Sequence, residues 1–182
     1  MPGTSERTPE ESCTTCHEPK ATLKNTSLCG LCQRMSCKAC TQFLEPDSFS
    51  FLEKIPEHLR HGAYCRACYE EKVAPELAAY AEAMERAKHI YIFYKKHEYL
   101  RVIQRSRKIL SVRDCKDRKE VLLRLAFLAA QQSFNALVDV ELVPEKVRNF
   151  GYQTSNWTGT GFPAEVKPDD DVPYPIPSSQ KY

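Results

Sequence analysis

Cys13-Thr14-Thr15-Cys16, Cys29-Gly30-Leu31-Cys32, Cys37-Lys38-Ala39-Cys40 and Cys65-Arg66-Ala67-Cys68 decide how this chain folds. Eight thiols in four Cys-x-x-Cys pairs make two tetrahedral sets, and a two-residue gap lets one turn present two sulfurs to one metal ion. The pattern predicts two structural Zn²⁺ ions. A disulfide framework or a redox dithiol is the competing reading. The polar amino terminus, Met1 to Glu11, does not read as a secretory signal, and the most apolar stretch, Val121 to Ala130, is short and carries Arg124. The expected compartment is therefore the cytoplasm, where paired thiols hold metal more often than they form disulfides.

The spacing Cys-x2-Cys-x12-Cys-x2-Cys-x4-Cys-x2-Cys-x24-Cys-x2-Cys leaves the pairing open. A sequential scheme joins the first two pairs and the last two. An interleaved scheme joins Cys13, Cys16, Cys37 and Cys40 at one ion and Cys29, Cys32, Cys65 and Cys68 at the other. Either way every ligand is a protein sulfur, so no position stays open for water and such a site holds structure instead of hydrolysing a substrate. A segment of about 60 residues buries too little apolar surface to fold unaided, and zinc supplies the missing staple. The apolar residues Phe43, Phe49, Phe51, Leu52 and Ile55 in the insert Thr41 to Ala63 are expected to pack back onto the metal frame. His17, His58 and His61 read as surface residues, since cysteines account for all eight ligands.

The four-residue gap between Cys32 and Cys37 and the closing Tyr64-Cys65-Arg66-Ala67-Cys68-Tyr69 resemble the FYVE zinc finger. That resemblance implies a cross-braced, interleaved pair of zinc ions over residues 13–72. FYVE fingers bind phosphatidylinositol 3-phosphate through an Arg-(Arg/Lys)-His-His-Cys-Arg box. This chain has Lys24-Asn25-Thr26-Ser27-Leu28-Cys29-Gly30 there, so the resemblance carries the metal frame and not the lipid specificity. A RING-type finger, which recruits ubiquitin-conjugating enzymes, is the runner-up frame, but no histidine sits where it would ligate.

Outside the finger, residues 1–12 read as a disordered tail and 73–88 as a connecting helix, with Leu77, Tyr80, Ala81 and Met84 on one face. Residues 89–166 read as an α+β domain, a β-sheet with one helix packed on one face. Ile90 to Tyr94, Leu100 to Ile103 and Ile109 to Val112 are candidate strands. Asp117-Arg118-Lys119-Glu120 has capping-box spacing and opens a helix to about Phe134. Leu137 to Val143 alternates, which predicts Val138, Val140 and Leu142 facing inward. Pro144 to Asn149 is expected to turn, Tyr152 to Trp157 and Phe162 to Val166 to be two strands, and Gly159 and Gly161 to bend the chain between them. The junction Ser133-Phe134-Asn135-Ala136-Leu137-Val138 resembles the small YbjQ/RcsF-like bacterial domains, which carry a Gly-Ala-Asn-Ala-Val-Val-like junction after their helix. That resemblance implies a fold without an established chemistry. The Pro/Asp-rich tail, 167–182, reads as extended.

The net charge of +2 names no partner. It is unevenly spread, however: Arg86 to Lys119 holds twelve Lys/Arg against three acids, a net +9. Lys95, Lys96, Arg101, Arg105, Arg107 and Lys108 are the candidate anion-binding residues. No Ser/His/Asp set, phosphate-cradling glycine loop or His-Glu-x-x-His occurs in the sequence. The expectation is a non-enzymatic interaction or adaptor protein whose finger offers a surface to a protein partner, with no small-molecule substrate. The alternative is binding to an anionic lipid surface or nucleic acid through the basic segment. Cys115, the ninth cysteine, is unpaired and reads as structural; its place just before a helix, where a pKa can be lowered, is the basis of the reactive alternative.

Overall fold

The computed structural model describes residues 12–19, 26–94, 102–149 and 152–167. Residues 1–11 and 168–182 of the expected tails, and the anion-binding candidates Lys95, Lys96 and Arg101, lie outside them. The chain divides into two compact units, one up to Tyr80 and one from Ala81.

In the first unit a hairpin pairs β1 (Thr26–Leu28) with β2 (Met35–Cys37), and a second antiparallel pair joins β3 (Thr41–Phe43) to β4 (Ala63–Cys65). Ser12, expected in the tail, bridges to Pro19 instead. Leu44, Phe49, Leu59, Tyr64 and Val73 are buried in one core with Cys29 and Cys65, and Leu52 and Ile55 pack against it. Most of the insert therefore does pack on the metal frame. Phe43 is the exception at 62% exposed. Tyr64 locks this arrangement. Its buried hydroxyl donates to the His58 carbonyl (2.9 Å) and accepts from the His61 N–H (3.1 Å).

Helix formation starts at the last cysteine pair, earlier than expected. The α1 turn (Arg66–Cys68) continues through a π-helical turn (Tyr69–Val73) into α2 (Ala74–Ala87). Pro75 cannot donate to the carbonyl four residues back, and the wider turn just before it accommodates the missing bond. Leu77 and Tyr80 face the core, whereas Ala81 is exposed and Ala83 is buried.

The second unit is a five-stranded sheet in the order β5-β8-β9-β6, with β7 also on β9. Strand β5 (Tyr91–Tyr94) runs parallel to β8 (Ala136–Asn149), and β9 (Tyr152–Val166) is antiparallel to β8. On the far edge of β9, β6 (Val102–Arg105) pairs with Ala164 to Val166 and β7 (Leu110–Cys115) with Trp157 to Gly161. Pro163, fully buried, sits in the gap between them, and its carbonyl accepts from the Ser106 N–H (2.8 Å). A residue in an antiparallel strand points its N and its O to the same side. The donor that proline lacks therefore falls where no ladder bond is required.

Three expectations for this sheet fail. Pro144 to Asn149 does not turn; it continues β8, with Pro144 opposite Trp157 and Asn149 opposite Tyr152. Among the described residues β8 has no partner but β9 there, so the proline breaks no bond on its other side. Gly159 and Gly161 do not bend the chain but lie inside β9, where Gly159 lets helix α3 (Arg118–Gln131) approach. A Cβ there would stand 2.2 Å from Val121 Cγ1. Nor do Val138, Val140 and Leu142 share a face. Asp139, at φ 53°, sits in a register shift, so Val138 joins Phe93, Ala136, Ala164 and Val166 while Val140 lies beside Gly161 on the helix face.

The α3 helix starts as expected. The Glu120 N–H donates to Asp117 Oδ1 (2.8 Å), and Glu120 Oε2 reaches back to the Lys116 N–H (3.0 Å). It ends at Gln131, not Phe134. The Ser133 N–H bonds the Ala130 carbonyl and the Phe134 N–H the Ala129 carbonyl, with Ser133 at φ 62°. Ser133 thus occupies the left-handed position for which glycine is the usual residue. Asn135 then ties the junction to the end of β9, donating to the Val166 carbonyl (2.8 Å) and accepting from its N–H (2.9 Å). Among the described residues no helix is long and apolar enough to cross a membrane.

Candidate metal centres

Two kinds of turn carry the eight cysteines. At Cys13 and at Cys29 the chain doubles back on itself. The N–H of the residue four positions on, His17 or Gln33, donates to the cysteine carbonyl at 3.0 Å, and each of those residues takes a positive φ, 60° and 56°. Cys37 and Cys65 instead end strands β2 and β4 in extended conformation and begin a helical turn, Lys38–Cys40 and Arg66–Cys68. Each helical turn brings its second cysteine back beside the first.

Strand pairing decides which turns meet. The β1–β2 hairpin carries Cys29 at its turn end and Cys37 at its open end. Along β2, the Thr14 N–H bonds the Met35 carbonyl (2.9 Å), and at the open end the Cys37 N–H points at Cys13 Sγ (3.4 Å). At the turn end, the Gly30 N–H bonds the Ala63 carbonyl (2.9 Å). Cys13, Cys16, Cys37 and Cys40 converge, as do Cys29, Cys32, Cys65 and Cys68, with the sulfurs of each set within 4.8 Å of one another. This is the interleaved scheme. Spacing alone left it open, but Cys37-Lys38-Ala39-Cys40 and Cys65-Arg66-Ala67-Cys68 are near-copies, a repeat that marks the two strand-to-helix turns. One double-back turn plus one strand-to-helix turn per metal is the reading that repeat supports.

The donor set fits zinc. Zn–S bonds of about 2.3 Å put sulfurs about 3.8 Å apart at the corners of a tetrahedron. Cys16 and Cys37 are 3.8 Å apart and Cys32 and Cys65 are 3.9 Å apart. A disulfide needs about 2.05 Å. Backbone N–H groups prepare one thiolate in each set. Burial pushes the Cys13 thiol up, but the N–H groups of Cys16, Cys37 and Thr15 outweigh it and bring the pKa down to about 6. The same balance, with N–H groups from Cys65, Cys32 and Leu31, holds Cys29 at about 6. Burial, followed by the neighbouring sulfurs, pushes Cys40 up to about 12 and raises Cys68 as well. Four thiols this close cannot all ionise by themselves, and a divalent cation between them resolves the conflict. Both tetra-cysteine groups can each bind a zinc ion, an arrangement consistent with a double zinc finger.

The remaining candidates separate from these centres. Half-buried His61 packs under Gly30, while half-buried His58 lies near Glu76 (4.0 Å); neither is a plain surface residue and neither joins a cysteine set. Arg105 is engaged within the sheet, 2.7 Å from Asp139 Oδ2 and 4.1 Å above the Phe162 ring. Arg107 and Lys108 are exposed between β6 and β7. Farther along the basic segment, Arg86 and Lys88 pair with Glu82 and Glu85, and Arg118 lies over Trp157. Arg86, Lys88, Arg105 and Arg118 thus each have a local partner, whereas Arg107 and Lys108 face solvent. Cys115 is buried, and burial, with the Glu120 charge adding to it, pushes its thiol up. A buried thiol with a raised pKa fits the structural reading of Cys115 and not the reactive alternative.

Comparison of the chain with protein-family models, curated proteins and solved structures finds no match. The FYVE and YbjQ/RcsF-like resemblances therefore rest on the quoted motifs alone.

Proposed function

We propose that this chain is a non-enzymatic interaction protein, a FYVE-like adaptor whose finger is built on two structural zinc ions and offers a protein-binding surface. The observation that carries the reading is the closure of both centres. Four sulfurs converge at each, so a bound zinc keeps no position for a water or a substrate. The finger also leaves large apolar side chains outside its core, Phe43 at 62% and Leu28 at 61% exposure. An open apolar depression lies beside Leu44, Phe49, Ile55 and Leu59, with Arg60 at its rim. Aromatic anchors of this kind dominate protein interfaces. Free thiols as ligands suit a reducing compartment such as the cytoplasm.

The anion-binding alternative rests on exposed Arg107 and Lys108, since Arg105 already has an acidic partner in Asp139. The test combines metal analysis with capture. Purified chain should carry two zinc ions, and a protein cross-linked by the intact chain should be lost with Phe43→Ser but not with Arg107→Ala/Lys108→Ala. Salt-sensitive sedimentation with anionic vesicles or RNA that depends on Arg107 and Lys108 supports the alternative and overturns the adaptor reading. Substoichiometric zinc overturns the two-zinc adaptor reading.

A further inference from the structure

The two centres are built from the same pair of turns, so their differences are informative. The second is set in a core. Cys29 and Cys65 are buried among Leu44, Phe49, Leu59, Tyr64 and Val73, and Cys32 and Cys68 are packed against the same cluster. Among the described residues the apolar cluster at the first centre is its own ligands, Cys13, Cys37 and Cys40, flanked by the small buried polar residues Ser36 and Thr41. Its fourth ligand, Cys16, is exposed. Thr14 N–H to Met35 and Cys37 N–H to Cys13 Sγ tie the segment carrying Cys13 and Cys16 to β2, while the Ser12–Pro19 bridge closes that segment on itself.

Charge separates them in the same direction. A zinc ion with four thiolates is formally doubly negative. Five residues beyond the first cysteine of the second centre stands Arg34, whose guanidinium hydrogen-bonds the Cys32 sulfur. The equivalent position of the first centre is Glu18. The second centre has a cation beside it, and the same chain position at the first centre is an exposed acidic residue.

Building on the two-zinc reading above, we infer that the first centre is an exchangeable, metal-responsive site and the second is the permanent one. Loss of the first ion requires only that the segment from Ser12 to Pro19 lift away with Cys16 leading. Loss of the second requires opening the apolar core. Local opening free energies follow this kind of difference in buried contacts. The amino-terminal segment is thus a flap that reports the availability of zinc while the rest of the finger stays folded.

Stopped-flow release of zinc from the full chain into a chromophoric chelator tests this. The expected trace has two phases of one zinc each, the fast phase at least ten times the rate of the slow one. Native mass spectrometry should trap a one-zinc species. In that species hydrogen exchange should rise at Thr14 to Cys16 and Cys37 to Cys40 and stay slow at Leu44, Phe49 and Tyr64. Cys16→Ser should retain one zinc and the protected core, while Glu18→Arg should slow the fast phase several-fold. A single phase releasing both ions, a one-zinc species exposed at Tyr64, or a Cys16→Ser chain that holds no zinc overturns the inference. Fewer than two zinc ions in the starting material overturns the underlying two-zinc reading instead.

Discussion

Replacing Gly159 by alanine tests whether α3 is seated as described. The new Cβ would lie 2.2 Å from Val121 Cγ1, 3.0 Å from Leu142 Cδ2 and 3.3 Å from Leu125 Cδ1. The first distance is more than 1 Å inside an ordinary carbon–carbon contact of about 3.5 Å. Val121 is β-branched and stands on a helix, where one χ1 rotamer dominates, so it cannot swing aside cheaply. Overpacking of this size costs about 1–3 kcal/mol. The gain from restricting the unfolded chain, about 0.4–1 kcal/mol, offsets only part of it. Gly161→Ala is the internal control, two residues along the same face of β9. There the nearest atom is Val140 Cγ2 at 3.1 Å and the next lies at 3.6 Å, so the expected cost is below about 1 kcal/mol. Urea denaturation of the zinc-loaded chain, followed by Trp157 fluorescence, reads both. Adding Val121→Ala to Gly159→Ala should recover part of the loss, with a coupling of about 1 kcal/mol or more. Equal effects at the two glycines, or a neutral Gly159→Ala, would refute the close approach of helix and strand.

Asn135→Ala removes two hydrogen bonds and leaves both backbone groups of Val166 unpaired, so unfolding should become easier by about 1–3 kcal/mol, with Asn135→Asp intermediate in the same denaturation assay. Tyr64→Phe strips the partner from the His61 N–H and the His58 carbonyl; a loss of about 1–2 kcal/mol in thermal unfolding is expected, with two zinc ions retained by metal analysis. Glu120 is held below its ordinary value of 4.5, first by the Lys116 N–H and then by Arg124. Its stabilisation is therefore present above pH 4.5 and lost as pH falls through the lower folded value. Glu120→Gln should flatten that acid limb relative to the parent; an unchanged limb assigns it to other carboxylates.

The ligands were legible because tetrahedral sulfur coordination imposes a short, regular spacing on any chain that provides it. Their pairing needed the path of the backbone, and the Lys38-Ala39 and Arg66-Ala67 near-repeat was the local trace of it. Helix α3 could be read at its start, since Asp117 and Glu120 announce a cap with their own side chains. Its end could not, because Ser133 takes a left-handed backbone that glycine normally signals. The sheet was misread where local preference and tertiary setting conflict. Pro144 and the two β9 glycines are punctuation by composition, yet each is tolerated by its neighbours, one where β8 has no second partner among the described residues and the others on the sheet face that α3 covers. The bulge at Asp139 left no mark on the alternating pattern, and it moved Val138 and Val140 to opposite faces.

Pro163 has a consequence for how faithfully the second unit assembles. Were β9 to slip by one residue against β8, its imide nitrogen would turn inward toward a carbonyl that then finds no proton. The same slip would slide a peptide N–H into the gap that Ser106 now spans. One ring thus penalises misalignment on both flanks at once. Proofreading of the strand order is written into the covalent structure of this sheet, at a position that contributes no ladder donor of its own.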